Sequence, residues 1–204
     1  MKLYLSSYYF AGDGKGFGDL IGDCKNVAII LNANDAQDGE RRPFYLNREI
    51  ERMNLLGLDA DELDLRDYFG TNEIQNRLNS YGAVWVMGGN SFTLRRAMRQ
   101  SRFDIDGVAA VWANKLVYGG FSAGSVVAAP TLNGIDIVDP NDEEPLLYAQ
   151  DIIWEGLNLV DYSIAPHYKS EHPESELVDE VVSYFQEKRM AYRTLRDGEA
   201  IIVQ

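Results

Sequence analysis

Apolar residues in this chain fall into short blocks, and two different periods alternate between the turns that separate them. Leu3 to Tyr8, Val27 to Leu31 and Val84-Trp85-Val86-Met87 are short, nearly continuous apolar runs, the pattern of strands buried on both faces. Leu58 to Leu65 instead alternates apolar with acidic residues, which predicts a strand near a sheet edge. Arg42 to Leu56 carries helical periodicity, with Pro43 close to its start and Gly57 at its end. Thr71 to Leu78 predicts a short amphipathic helix. Ser91 is the expected cap of a helix running to about Arg99, and Asp104 to Asn114 predicts another. Leu116-Val117-Tyr118 then forms a strand that runs into paired glycines. Past Pro130 the pattern weakens. Ile135 to Pro140 reads as an extended segment, Asn141 to Pro145 as an acidic loop and Leu157 to Ile164 as a strand. Pro173 opens a helix to about Lys188, with His172 or Ser170 as its cap. Ala191 to Leu195 and Ala200 to Val203 read as terminal strands joined in a hairpin by Arg196-Asp197-Gly198-Glu199.

Strands alternating with helices predict an α/β fold with a parallel sheet covered on both faces. In such sheets sites form beyond the carboxyl ends of the strands. Gly88-Gly89-Asn90 and Gly120 to Gly124 both fall at that edge.

Composition narrows the function. The 204 residues suit a single domain with a sizeable core. With 19 Lys and Arg against 32 Asp and Glu, the formal charge is −13 and no basic run exists. That argues against nucleic acid and against anionic membranes, both of which need clustered cations. The one cysteine, Cys24, excludes an internal disulfide and suits a reducing compartment, so a cytoplasmic location is expected. No apolar run approaches the length of a membrane span. Ala11 to Gly18 is only superficially a phosphate cradle, because Lys15 is followed by Gly16 and not by Ser or Thr; it reads as a flexible surface loop.

The chemistry centres on Ser122, which sits in a G-x-S-x-G frame between a strand and a small apolar helix. A serine needs a base, and the chain has two histidines. His167 follows a strand end and Pro166, where a base for Ser122 belongs; His172, just before Pro173, reads as a solvated cap. Acids that could orient the imidazole include Asp136, Asp139, Asp161, Asp197 and Glu199, with Asp197 and Glu199 favoured by their place on a tight turn. The N–H of Ala123 and that of Gly89 are suited to an oxyanion hole. Cys24 is a poor nucleophile candidate, since it precedes a strand instead of following one.

VMGGNSFTL (Val86 to Leu94), GGFSAGSVVAAPT (Gly119 to Thr131), IDIVDP (Ile135 to Pro140), APHY (Ala165 to Tyr168) and LRDGEAI (Leu195 to Ile201) occur in this order. In this the chain resembles the dipeptidase E and cyanophycinase family of serine peptidases, over most of its length from residue 80 onward. The resemblance implies a three-layer α/β/α sandwich with a mostly parallel sheet, like class I glutamine amidotransferases (flavodoxin-like). It makes Ser122 the nucleophile, His167 the base and Asp197 the acid, with Glu199 and Asp136 as alternative acids, and Gly89 and Ala123 the oxyanion hole. Neither metal nor cofactor is expected. The implied activity is a serine-type exopeptidase acting on short peptides, with N-terminal Asp dipeptides among the candidates. An esterase or amidase with the same triad, or a non-catalytic ligand-binding member, are the alternatives. The expected partner is a small peptide substrate, and a homodimer is left open. Met87 departs from the family's further glycine before Gly88-Gly89, and the chain stops at Gln204, soon after the last motif. Aspartyl specificity needs a cation, for which Arg95, Arg96 and Arg193 are the candidates.

Overall fold

The computed structural model describes residues 1–36, 41–142 and 145–204, so Glu143 and Glu144 of the expected acidic loop lie outside the described residues. Side-chain alternation along the strands decides the architecture. In β2 (Asn26–Ile30), Val27 and Ile29 enter one core while Ala28 and Ile30 enter the other. In β4 (Ala83–Val86), Ala83 and Trp85 divide from Val84 and Val86 in the same way. A sheet apolar on both faces must be covered on both. One face is covered by α1 (Lys15–Ile21) and α2 (Arg42–Leu55), through Phe17, Leu20 and Met53. The other takes α3 (Ile74–Leu78), α4 (Ser91–Gln100), α5 (Val108–Trp112), α6 (Ala123–Val126) and α7 (Ser175–Glu187). The result is the expected α/β/α layering.

The main sheet also contains β1 (Leu3–Ser6), β3 (Asp59–Glu62), β5 (Val117–Phe121) and β8 (Ala200–Val203), in the order β3-β2-β4-β5-β1-β8. Every pairing is parallel except β1 with β8. β3, with its alternating acidic residues, lies at one edge as its pattern predicts. Register aligns the functional ends: Ser6 pairs with Phe121, and Val86 pairs with both Ile30 and Gly120. Ser7, Gly88-Gly89 and Ser122 therefore emerge together at the carboxyl edge.

Several local expectations are corrected. The terminal hairpin does not form. β7 (Tyr192–Thr194) instead pairs in parallel with β6 (Ser163–Ala165) in a separate two-stranded sheet, while β8 joins β1. The Arg196 to Glu199 turn thus carries the chain from one sheet to the other. Much of Leu157 to Ile164 is irregular, and only its end forms β6. Ile135 to Ile137 is a 3-10 turn instead of an extended segment. Asn90, not Ser91, caps α4, its side chain accepting from the Thr93 N–H at 2.8 Å. The N-cap of α7 is Glu174, which makes no side-chain capping bond; His172 Nδ1 accepts from the Glu174 N–H at 3.3 Å just ahead of the helix, and Ser170 does not cap it. Half of the glycine-rich segment is helical, because Phe17, Leu20 and Ile21 fall at helical spacing and bury against the sheet. A π-helical turn (Phe103–Gly107) precedes α5, where one continuous helix was expected.

Candidate active site

The chain turns from β5 into α6 through a single residue, Ser122, with φ 49° and ψ −119°. Such a backbone costs a residue with a Cβ about 1–3 kcal/mol and persists only where its surroundings over-determine it. Here they do. The Ser122 N–H donates to the carbonyls of Ser6 (3.2 Å) and Ser7 (3.0 Å). The Ser125 hydroxyl reaches the carbonyls of Ser6 and Gly120, both at 2.8 Å, and the Tyr118 hydroxyl donates to the Gly124 carbonyl at 2.6 Å. The two glycines of the frame are there for close approach. A Cβ on Gly120 would lie 2.8 Å from the Gly124 carbonyl carbon, and one on Gly124 would lie 2.2 Å from the Val86 carbonyl oxygen. The elbow can sit against β4 only without those side chains.

β4 supplies the neighbouring turn. Gly89 has φ +138°, and a Cβ there would meet the Ala33 carbonyl oxygen at 2.6 Å. Asn34 holds the turn from outside, its amide donating to the Gly88 carbonyl at 2.8 Å. A Cβ on Gly88 would meet the Ser122 Cβ at 2.9 Å, so this turn packs directly on the elbow. Among the described residues, the N–H groups of Gly89 and Ala123 donate to nothing. Two free donors thus flank Ser122.

His167 follows β6 with a left-handed φ of 61° and is 1% exposed. Its Nδ1 lies 2.7 Å from Asp197 Oδ1. An ionised carboxylate only accepts, so Nδ1 carries the proton and Nε2 keeps its lone pair. That Nε2 is buried and has no hydrogen-bond partner. Burial pushes the His167 pKa below its usual value; the bond to Asp197 opposes this and the charge of His172 adds to it. Asp197 reaches the histidine because the chain crosses between the two sheets there, with its own N–H held by the Ser170 hydroxyl at 2.8 Å. Glu199 is occupied on the same turn, Oε2 accepting from the Arg196 N–H at 2.8 Å. Asp136 is exposed and distinct from the residues lining the cavity.

The Ser122 and His167 side chains line one open cavity of ≈ 310 Å³. No hydrogen bond joins them among the described residues, in keeping with the loose contacts of unliganded sites. A smaller cavity of ≈ 20 Å³ also reaches Ser122, lined by Ala123, Val126, Ile135 and Val181 together with Asp139 and Glu174.

Some residues of this site gave no clear sign in the sequence. Ser7 is fully buried; its hydroxyl donates to Asp197 Oδ1 at 2.7 Å and accepts from the His167 N–H at 2.7 Å. The rule that sites form at strand ends could have found it, since Ser7 directly follows β1. His172 does more than accept from the Glu174 N–H: its ring stacks on His167 at 3.7 Å and 9°, and Tyr8 meets both rings edge-on. Asp139 accepts from the Ser91 N–H at 2.8 Å, at the start of α4. Ligand atoms of His167, His172 and Glu174 lie within 4.8 Å of one another. Both Nδ1 atoms are already engaged, that of His167 with Asp197 and that of His172 with the Glu174 N–H at 3.3 Å.

None of the three expected cations lines the cavity. Arg95 is buried, donating to the Glu155 carbonyl at 2.8 Å and meeting Asp104 at 3.4 Å. Arg96 is buried on the carbonyls of Asp151 and Asn141. Arg193 stacks 4.4 Å over the Tyr162 ring. The arginine that does line the cavity is Arg48, from α2.

Residues 15–204 match the sequence profile of peptidase family S51. The chain is 30% identical over 180 residues to an uncharacterised peptidase of Listeria monocytogenes, covering 88% of this chain and 82% of that one. It is 37% identical over 171 residues to a peptidase E of Nostoc sp., covering 69% and 65%. A crystal structure provisionally assigned to peptidase E, from Listeria monocytogenes EGD-e, superposes with a TM-score of 0.79 at 26% identity, covering 99% of this chain and 93% of that one.

Proposed function

The chain belongs to peptidase family S51, and from that premise we propose that this peptidase is a serine-type exopeptidase that cleaves short peptides through an acyl-enzyme on Ser122. The observation that carries the reading is the His167 imidazole. Its Nδ1 is tied to Asp197, its buried Nε2 is unpartnered, and it lines the same cavity as a strained serine. A lone pair of this kind is a general base lacking only a proton to take.

In the reaction, His167 Nε2 accepts the Ser122 proton while Oγ attacks the scissile carbonyl. The oxygen, now negative, receives the free N–H groups of Gly89 and Ala123, each worth about two to three orders of magnitude in rate. The imidazolium then gives its proton to the leaving amine, and Asp197 stabilises it meanwhile. Water repeats the cycle on the ester, restoring Ser122. The lowered His167 pKa keeps the imidazole neutral near neutral pH, so that its Nε2 lone pair is available to take a proton.

Relatives named peptidase E support a peptidase, and the resemblance to the dipeptidase E family makes dipeptides, those with N-terminal Asp among them, the first substrates to test. The test is hydrolysis of a dipeptide panel beside simple esters, with fluorophosphonate labelling of Ser122. Ser122→Ala is expected to lower kcat by about three to six orders of magnitude while the protein stays folded. Near-wild-type turnover by that variant, or a folded wild-type protein that forms no adduct, would refute the mechanism. Ester hydrolysis without peptide hydrolysis would refute the substrate class.

A further inference from the structure

Arg48 is unusual in this molecule: in a chain of formal charge −13, among the described residues it is the Lys or Arg that lines the Ser122 cavity. Its charge is only partly cancelled. The buried Glu49 carboxylate is shared by two guanidiniums, Arg48 Nε at 3.6 Å and Arg52 Nε at 3.7 Å from Oε1, and it also accepts from Trp85 Nε1 at 3.2 Å. One positive charge is left over.

The guanidinium is also pre-oriented. It lies 5.0 Å over the Tyr9 ring and 5.3 Å over the Tyr45 ring, and Nη2 donates to the Tyr9 hydroxyl. Tyr9 in turn packs on Phe121, beside Ser122, with ring centroids 4.7 Å apart. Among the described residues Nη1 makes no hydrogen bond, and Nε is buried without one. A planar fork held on aromatic faces with donors to spare suits a carboxylate.

The other charges of the cavity bear on which carboxylate. Asp139 and Glu174 line it together with Arg48 and Ser122. A dipeptide zwitterion carries the complementary pair of charges, an ammonium and a carboxylate, on either side of its scissile carbonyl. Two extended residues span about 7 Å, which suits a cavity of ≈ 310 Å³.

We infer that Arg48 binds the free α-carboxylate of the leaving residue and thereby restricts the peptidase to dipeptides. The inference rests on the proposed serine mechanism for its meaning, but its test does not. The test measures binding of Ala-Leu, Asp-Leu and their C-terminal amides by calorimetry to Ser122→Ala protein, alone and combined with Arg48→Ala or Arg48→Lys. Loss of one charge-assisted pair should weaken binding of both free acids about 10- to 100-fold. The amides should bind all three proteins alike, and Lys should restore part of the affinity. In otherwise wild-type enzyme, Arg48→Ala should raise KM for the acids and leave kcat nearly unchanged. Equal binding of acid and amide by the parent protein, or equal loss of both in Arg48→Ala, would overturn the assignment. Loss confined to Asp-Leu would overturn it in favour of a side-chain subsite. Turnover by the Ser122→Ala protein would refute the serine mechanism instead, and is seen separately as product.

Discussion

Replacing Asp197 by Asn removes one charge and little volume, and its consequence follows from two bonds. Asp197 Oδ1 accepts from His167 Nδ1 and from the Ser7 hydroxyl, both at 2.7 Å. In the resting enzyme the imidazole is neutral, so the carboxylate's charge contributes little. When His167 takes the Ser122 proton, an imidazolium forms against a carboxylate in a mostly buried setting. Two unit charges about 4 Å apart attract by about 4 kcal/mol at an effective dielectric of 20. Partial exposure of the Asp197 side chain (26%) reduces that somewhat. The variant should therefore lose about two to three orders of magnitude in kcat, at about 1.4 kcal/mol per tenfold. The pH profile gives an independent sign. The free enzyme needs neutral His167, so kcat/KM falls on the acid side as the imidazole protonates. Burial lowers its pKa and the bond to Asp197 raises it. Without that carboxylate the acid limb must move to still lower pH, even as the plateau falls. The assay is kcat and kcat/KM for a cleaved dipeptide from acid to neutral pH, with thermal unfolding as a check on folding. A plateau within fivefold of wild type, or an acid limb shifted upward, would refute the assignment of Asp197. A matching loss in Glu199→Gln would move the role to that residue.

Other outcomes follow from the same geometry. Ser7→Ala leaves the buried His167 N–H without its acceptor, so it should cost about 1–3 kcal/mol of stability, read by chemical denaturation, and lower kcat as Asp197 loses a tether. Unchanged stability and activity would mean that Ser7 fills space only. Gly124→Ala places a Cβ 2.2 Å from the Val86 carbonyl oxygen, so the elbow must move; fluorophosphonate labelling should collapse even in preparations that remain folded. Retained labelling would show that the elbow tolerates displacement. Gly89→Ala is strained by its φ of +138° as well as by the Ala33 carbonyl and should lower both Tm and kcat. A variant with wild-type Tm and kcat would show that this turn accommodates a side chain in spite of its φ and the Ala33 carbonyl.

The sequence by itself determined the layered α/β fold, because strand runs apolar on both faces demand helices on both, and it marked the sheet edge where a site belongs. It also picked out Ser122 and His167 and narrowed the acid to Asp197 or Glu199 on one turn, with the family resemblance favouring Asp197; the structure puts Asp197 on the imidazole, in the cavity that the strained elbow also lines. Local pattern could carry that much because glycine spacing, strand ends and tight turns are short-range features. The tertiary structure alone decided the partners. The closing segment resembles a hairpin locally, yet β8 pairs with β1 while β7 joins β6, and that split carries Asp197 to His167. His172 has a polar context in the sequence, and only the fold reveals that it stacks on His167. Ser7 and Arg48 belong to segments far from Ser122 in the chain; only its place after β1 hints at Ser7, and nothing in the neighbours of Arg48 on α2 marks it. Arg95 and Arg96 follow Ser91 closely, but their side chains turn into the protein to hold carbonyls of the 141–155 segment. Which charges face a cavity depends on how helices pack on a sheet, and that is settled by contacts between distant residues.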